Sequence, residues 1–170
     1  MMSLKKVLVV MGSDSDFPMM EPCFKLLDKF HIPFTAQVCS AHRSPNKAAE
    51  LARTARQSGF GLIIAAAGLA AHLPGVIAAF TTLPVIGVPC KTGALSGVDA
   101  LYAIVQMPSG VPVATVAIDG AANAAILAAQ ILSVSDDALE DRLTQYKKEL
   151  EMSVELRNER LKDKLSTIGE

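Results

Sequence analysis

The sequence of 170 residues contains no tryptophan, two tyrosines (Tyr102 and Tyr146) and six phenylalanines. A flavin site draws on aromatic side chains to cover the ring, and little of that material is present. Cysteine is also scarce: Cys23, Cys39 and Cys90 are odd in number and none belongs to a CxxC pair. This argues against a disulfide framework, favours a reducing compartment, and leaves each thiol to be read as a small buried hydrophobe. The three histidines, His31, His42 and His72, lack metal-ligand spacing, so no metal is expected. Charged residues make up 19% of the chain and the formal net charge is −1, which gives no electrostatic case for nucleic acid or an anionic membrane as partner. From Gln57 to Cys90 there is no Lys, Arg, Asp or Glu at all. A spanning helix needs ~20 unbroken apolar residues. His72, Pro74, Pro84 and several glycines divide this stretch, so it reads as buried core. Met1–Met11 carries two lysines and a short apolar run with no cleavage-type site after it, and a cytoplasmic location is expected.

What the sequence does hold is apolar material, 51% of its residues, enough for one domain with a sizeable core. Lys5–Met11 is short, apolar and β-branched, the signature of a buried parallel strand. Phe17 to Phe30 has a helical pattern with Met20, Phe24, Leu27 and Phe30 on one face, and Pro22 predicts a late start or a kink. The unit then repeats. Strands are predicted at Phe34–Cys39, Leu62–Ala66, Pro84–Val88 and Val113–Ile118. Helices are predicted over Pro45–Ser58, from the Gly68–His72 loop to about Phe80, over Val98–Val105, and from Ala121 to Leu132. Alternating strands and helices imply right-handed crossovers and a parallel sheet covered on both faces.

The last stretch differs. Ser135 to Glu170 carries 17 of the 33 charged side chains, and Leu139, Leu143, Tyr146, Leu150 and Val154 recur at spacings of four, three, four and four. This predicts one long amphipathic helix. Residues 1–134 are thus the α/β body and residues 135–170 a helical extension of the same domain. That extension packs on its own sheet or on another subunit, and the second is favoured.

In such sheets ligands bind outside the carboxyl ends of the strands, where the Ser13, His42 and Gly68–His72 loops all fall. Gly12-Ser13-Asp14-Ser15-Asp16 leads into a helix and offers hydroxyls and N–H groups to a phosphate, with Asp16 suited to ribose hydroxyls; a capped turn explains it equally well. Ser40-Ala41-His42-Arg43 sets an imidazole, an acid/base group near neutrality as a class, beside a guanidinium that suits phosphate. A surface histidine with a solvated arginine is the competing reading. Gly68 to Gly75 is small and uncharged, so backbone can approach a ligand closely. There His72 is a ligand contact or a satisfied core histidine, and the residues alone favour the core. His31 ends the first helix.

Six segments in order carry a resemblance: Met11–Asp16, Ser40–Pro45, Ala71–Gly75, Leu95–Asp99, Ile104–Pro108 and Asn123–Ala125. From about Val7 to Leu132 the chain closely resembles the bacterial N5-carboxyaminoimidazole ribonucleotide mutase family, the catalytic subunit of the older phosphoribosylaminoimidazole carboxylase. The resemblance implies a flavodoxin-like three-layer α/β/α fold. It also implies an octamer with active sites between subunits and a C-terminal helix reaching a neighbour. The implied reaction converts N5-carboxyaminoimidazole ribonucleotide into 4-carboxyaminoimidazole ribonucleotide in purine (IMP) biosynthesis, without metal or organic cofactor. Functional coupling to an ATP-dependent carboxyaminoimidazole ribonucleotide synthase would supply the substrate. By motif, Ser13, Ser15 and Arg43 hold the 5′-phosphate, Asp16 binds ribose, and His42 is the general acid/base. Ser40, Ala41, Gly68, His72 and Leu73 line the aminoimidazole and carboxylate pocket.

Two positions depart from the family pattern. Leu69 stands where a second glycine is usual, and either narrows the pocket or points away. The segment 119–123 looks about two residues short, which puts its contacts in doubt. Three rival readings remain. A sister enzyme carboxylates aminoimidazole ribonucleotide directly with CO2, but usually differs at His72-Leu73-Pro74-Gly75. A non-catalytic nucleotide- or flavin-binding module could share the fold. An assembly protein would leave the His42–Arg43 turn unexplained.

Overall fold

The computed structural model describes residues 4–168. Five strands form one parallel sheet: β1 (Lys6–Met11), β2 (Phe34–Val38), β3 (Phe60–Ala67), β4 (Val85–Pro89) and β5 (Ala114–Thr115), in the order β2-β1-β3-β4-β5. Six helices connect and follow them: α1 (Phe17–Lys29), α2 (Pro45–Thr54), α3 (Leu73–Ala79), α4 (Val98–Val105), α5 (Ala121–Ser133) and α6 (Asp137–Ser166). The flavodoxin-like three-layer arrangement implied by the resemblance is the one observed.

The continuous apolar runs of the inner strands follow from burial on both faces. Side chains alternate along each strand, so β1 sends Val7, Val9 and Met11 to one side and Leu8 and Val10 to the other. The first set meets Leu62, Ile64 and Ala66 of β3, Cys23 and Leu27 of α1, and the alanines of α5. The second meets Ile63 and Ala65 of β3, Ala48 and Ala52 of α2, Ile77 of α3, and Ile104 of α4. Alanine dominates the inner faces of α2 and α5, and the small side chains of α5 let it lie close to β3 and β4. Each large aliphatic side chain buried this way contributes about 1.5–3 kcal/mol.

Several boundaries differ from the sequence-based expectation. α1 runs unbroken through Pro22, which lies on its exposed side, where water can serve the carbonyl that lacks a partner. α2 stops at Thr54 rather than Ser58, and the chain turns through Gly59 at φ +85° into β3. The fifth strand, expected over Val113–Ile118, pairs regularly only at Ala114–Thr115. Beyond that it keeps single bonds to β4, Val116 N–H to Gly87 O at 3.1 Å and Asp119 N–H to Pro89 O at 2.9 Å. Asp119 itself has φ +54°, which no continuing strand permits.

α6 begins at an Asp136 cap, whose Oδ1 accepts from Leu139 N–H at 2.8 Å. Leu139 and Leu143 are buried, and Tyr146 meets Phe30 edge-on at 5.3 Å, with Lys29 bridging to Glu149. Past Glu149 the apolar side chains Leu150, Val154, Leu161 and Leu165 are exposed. The expected end at Glu170 lies outside the described residues. No helix among the described residues is long and apolar enough to cross a membrane.

The closeness of helix and sheet is testable at Gly87 in β4. A Cβ there would lie 2.4 Å from Ile104 Cγ2 and 2.9 Å from Val113 Cγ1. Gly87→Ala is expected to lower the unfolding free energy by about 1–3 kcal/mol, read from urea denaturation.

Candidate active site

The strand ladder extends one bond past the end of several strands. Gly12 N–H donates to Ala66 O (3.0 Å), Cys39 N–H to Met11 O (2.9 Å) and Cys90 N–H to Ala67 O (2.9 Å). The loops after β1, β2, β3 and β4 therefore leave the sheet at one level. They enclose a cavity of about 460 Å³. The first loop contributes Gly12, Ser13, Ser15 and Asp16, the second Ser40 to Arg43, the third Gly68 to Ala70 with Leu73, and the fourth Thr92.

The first loop is a reciprocal cap. Ser13 is extended, with φ −148°; its Oγ accepts from Ser15 N–H at 3.3 Å, and Asp16 Oδ2 accepts from Ser13 N–H at 3.0 Å. The hydroxyls of Ser13 and Ser15 are 2.9 Å apart and exposed at the cavity. Asp16 is 9% exposed. Burial raises its carboxyl above the ordinary 3.8; the Ser13 N–H opposes this and the neighbouring Asp14 charge adds to it.

The second loop ties itself. Ser44 N–H donates to Ser40 O (2.8 Å), Ser44 Oγ to the same oxygen (2.9 Å), and Arg43 N–H to Ser40 Oγ (3.2 Å). His42 and Arg43 thus project from a fixed turn. Among the described residues no carboxylate pairs with the Arg43 guanidinium.

The third loop is crowded backbone. A Cβ on Gly68 would sit 2.3 Å from Thr92 Oγ1, so glycine is required for the approach. Leu69 follows at φ +55° and is 54% exposed; it lines the cavity and leans on Gly93, where a Cβ would meet Leu69 Cδ2 at 2.5 Å. It therefore bounds the cavity rather than pointing away. The short 119–123 segment also has a contact: Asp119 Oδ1 accepts from Lys91 N–H at 2.8 Å.

Of the expected site residues, Ser13, Ser15, Asp16, Ser40, Ala41, His42, Arg43, Gly68 and Leu73 all reach this cavity. His72 does not line it. Its imidazole is exposed and stands beside His42, with His42 Nε2 and His72 Nδ1 2.8 Å apart. The core-histidine reading fails with it. Sequence reasoning missed Thr92, whose Oγ1 is buried without a partner. Its position one loop beyond the fourth strand was the available signal. The Cys90 thiol is raised to about 12 by burial and then by Asp16 and Asp119, and Cys23 to about 12 by burial, so neither is a nucleophile at neutral pH. Among the described residues no three His, Cys, Asp or Glu side chains gather to hold a metal ion.

Asp16 gives a pH-dependent prediction. A raised carboxyl favours the neutral acid in the folded state. Its stabilising share is complete below the unfolded value and is lost as pH rises through the folded one. Asp16→Asn should therefore melt higher than the parent near neutrality, with the gap shrinking as pH falls through the raised folded value and closed below about pH 4. Thermal melts across pH check this; a gap independent of pH would contradict it.

Comparison with known proteins agrees with this geometry. The family model described as AIR carboxylase matches residues 6–153. The N5-carboxyaminoimidazole ribonucleotide mutase of Pyrococcus horikoshii is 50% identical over 155 residues, covering 91% of this chain and 88% of that one. The enzyme of the same name from Escherichia coli K12 is 52% identical over 145 residues, covering 84% and 86%. The crystal structure of Treponema denticola PurE superposes with a TM-score of 0.83 at 28% identity, covering 91% of this chain and 97% of that one. With a cavity at the strand ends, a family match across most of its length and relatives at half identity, the chain belongs to the AIR carboxylase family.

Proposed function

We propose that this chain is an isomerase of purine biosynthesis that converts N5-carboxyaminoimidazole ribonucleotide into 4-carboxyaminoimidazole ribonucleotide, with His42 moving the proton. The observation that carries the reading is His42 itself, held by a self-bonded turn between a polar wall and an apolar wall of one cavity.

The polar wall suits the ribonucleotide. Ser13 and Ser15 present hydroxyls, and Arg43 presents a fork for the 5′-phosphate. Asp16 accepts from ribose hydroxyls. The apolar wall, with Ala41, Gly68 and Leu73, surrounds the aminoimidazole and its carboxyl group, beside Ser40.

The chemistry follows from the carbamate. Protonated His42 gives its proton to the exocyclic nitrogen; the nitrogen–carboxyl bond breaks and CO2 leaves. C4 of the electron-rich ring then attacks the CO2 carbon, forming the new carbon–carbon bond. Neutral His42 removes the C4 proton and the ring regains aromaticity, so one proton is lent and returned. Walls that keep CO2 beside C4 act as a high effective concentration. Leu69, at the cavity mouth, adds apolar cover to this containment.

We also infer a cytoplasmic homo-oligomer, an octamer, fed by an ATP-dependent synthase that makes the carbamate. In support, the apolar stripe of α6 past Glu149 is exposed in the single chain, as are Phe34 and Val38 on edge strand β2. Such surface is seldom left to solvent. Sedimentation of the purified protein is expected to give eight chains per particle, and a monomer would contradict this.

Turnover decides the function. The purified protein is expected to convert the carbamate at low bicarbonate, whereas activity restricted to aminoimidazole ribonucleotide with high CO2 would indicate direct carboxylation. His42→Asn should retain substrate binding and lose at least about 100-fold in kcat. Retained turnover would remove the role given to His42.

A further inference from the structure

We propose that His72 is a positioning residue that holds a proton on Nε2 of His42, leaving Nδ1 as the single atom through which His42 exchanges protons. This rests on the reaction proposed above and adds to it a residue that acts through His42.

The two imidazoles meet edge-on, at 84° with centroids 5.0 Å apart, and His42 Nε2 lies 2.8 Å from His72 Nδ1. Two ring nitrogens at that distance share one proton, since facing lone pairs or facing N–H groups repel. The tautomers of the two rings are therefore linked. His42 lines the cavity and His72 does not, so the nitrogen engaged with His72 is not the one left for a ligand. Among the described residues Nδ1 of His42 has no hydrogen-bond partner, and it is the nitrogen available to substrate.

The direction of the bond follows from what the reaction requires. His42 must donate a proton to the carbamate nitrogen and later accept one from C4. If His72 Nδ1 is the acceptor, the Nε2 proton of His42 stays in place throughout. The Nδ1 proton then leaves for the substrate, and the same lone pair receives the C4 proton. No proton passes to His72, whose own proton sits on its Nε2. With the opposite direction, neutral His42 would carry its proton on Nδ1 and could not act as base there.

His72 is held for this task. Its N–H donates to Ala70 O at 2.8 Å, and its carbonyl accepts from Val76 N–H at 2.9 Å in the first turn of α3. Ala71 before it and Leu73 after it are both buried. The loop that carries Gly68 thus also sets the ring against His42.

Two substitutions and one spectrum test the assignment. His72→Leu removes the acceptor, and kcat is expected to fall about tenfold or more with KM within about twofold. His72→Asn offers an amide oxygen near the place of Nδ1 and is expected to recover most of the lost kcat. Nitrogen-15 spectra of histidine-labelled protein should show neutral His42 protonated on Nε2 in the parent and in His72→Asn, and a mixture of tautomers in His72→Leu. His72 is exposed, and matched thermal melts would verify that both variants fold. Parental kcat in His72→Leu, an Asn variant as impaired as Leu, or a His42 proton on Nδ1 in the parent would each overturn the proposal. Should the parent turn over no carbamate, the reaction itself fails, while the nitrogen spectra still decide the tautomer.

Discussion

Parallel pairing of β1 with β2 and β3, and of β3 with β4, is the constraint from which the site follows. Met11 pairs with Val38 on one side and Ala66 on the other, while Ala67 pairs with Pro89. Every strand runs the same way, so every βα loop opens at the same edge. The extra bonds from Gly12, Cys39 and Cys90 hold the loop origins at one height. Four segments separated by tens of residues in sequence thus meet around one cavity. The hydrophobic cost of a misplaced strand enforces the register, because a slip of one residue would turn each buried side chain to the opposite face.

At that edge the packing logic changes. The interior strands bury aliphatic side chains, whereas the loops carry buried polar groups and strained backbone. Asp16 is sequestered with only a backbone donor to support its charge, and the Thr92 hydroxyl is buried without a partner. Leu69 occupies left-handed backbone at a cost of about 1–2 kcal/mol. Each is unfavourable for the fold alone, and all line the same cavity. Such a concentration of local costs fits a surface shaped for a ligand, supported by the two apolar layers beneath it.

α6 divides into two parts with different physics. Its first turns bury Leu139 and Leu143, and Tyr146 is fixed against Phe30 and Lys29. Its later turns carry both charge signs around an apolar stripe that the chain does not cover. The helix is 30 residues long, about 45 Å at 1.5 Å per residue. Its far end leaves Leu150, Val154, Leu161 and Leu165 exposed in the single chain.

The sequence by itself determined the layers, the alternation of strand and helix, and the edge on which chemistry would occur, whereas the order β2-β1-β3-β4-β5 came from the tertiary structure. Apolar runs such as Val7–Val10 and Leu62–Ala66 have no stable place except between two helical layers. It also marked the Ser13, His42 and Gly68 loops, because glycine, serine and proline punctuate strand ends. Local pattern did not reveal that Pro22 would be carried inside α1, that the fifth strand would shrink to two paired residues, or that Thr92 would close the cavity. Each depends on which side faces water or on contacts between distant segments. The pairing of His42 with His72 is the clearest case. The two residues are thirty positions apart, and nothing in either motif encodes an angle between their rings. Only the placement of β2 and β3 on either side of β1, with their following loops at one edge, sets one imidazole against the other.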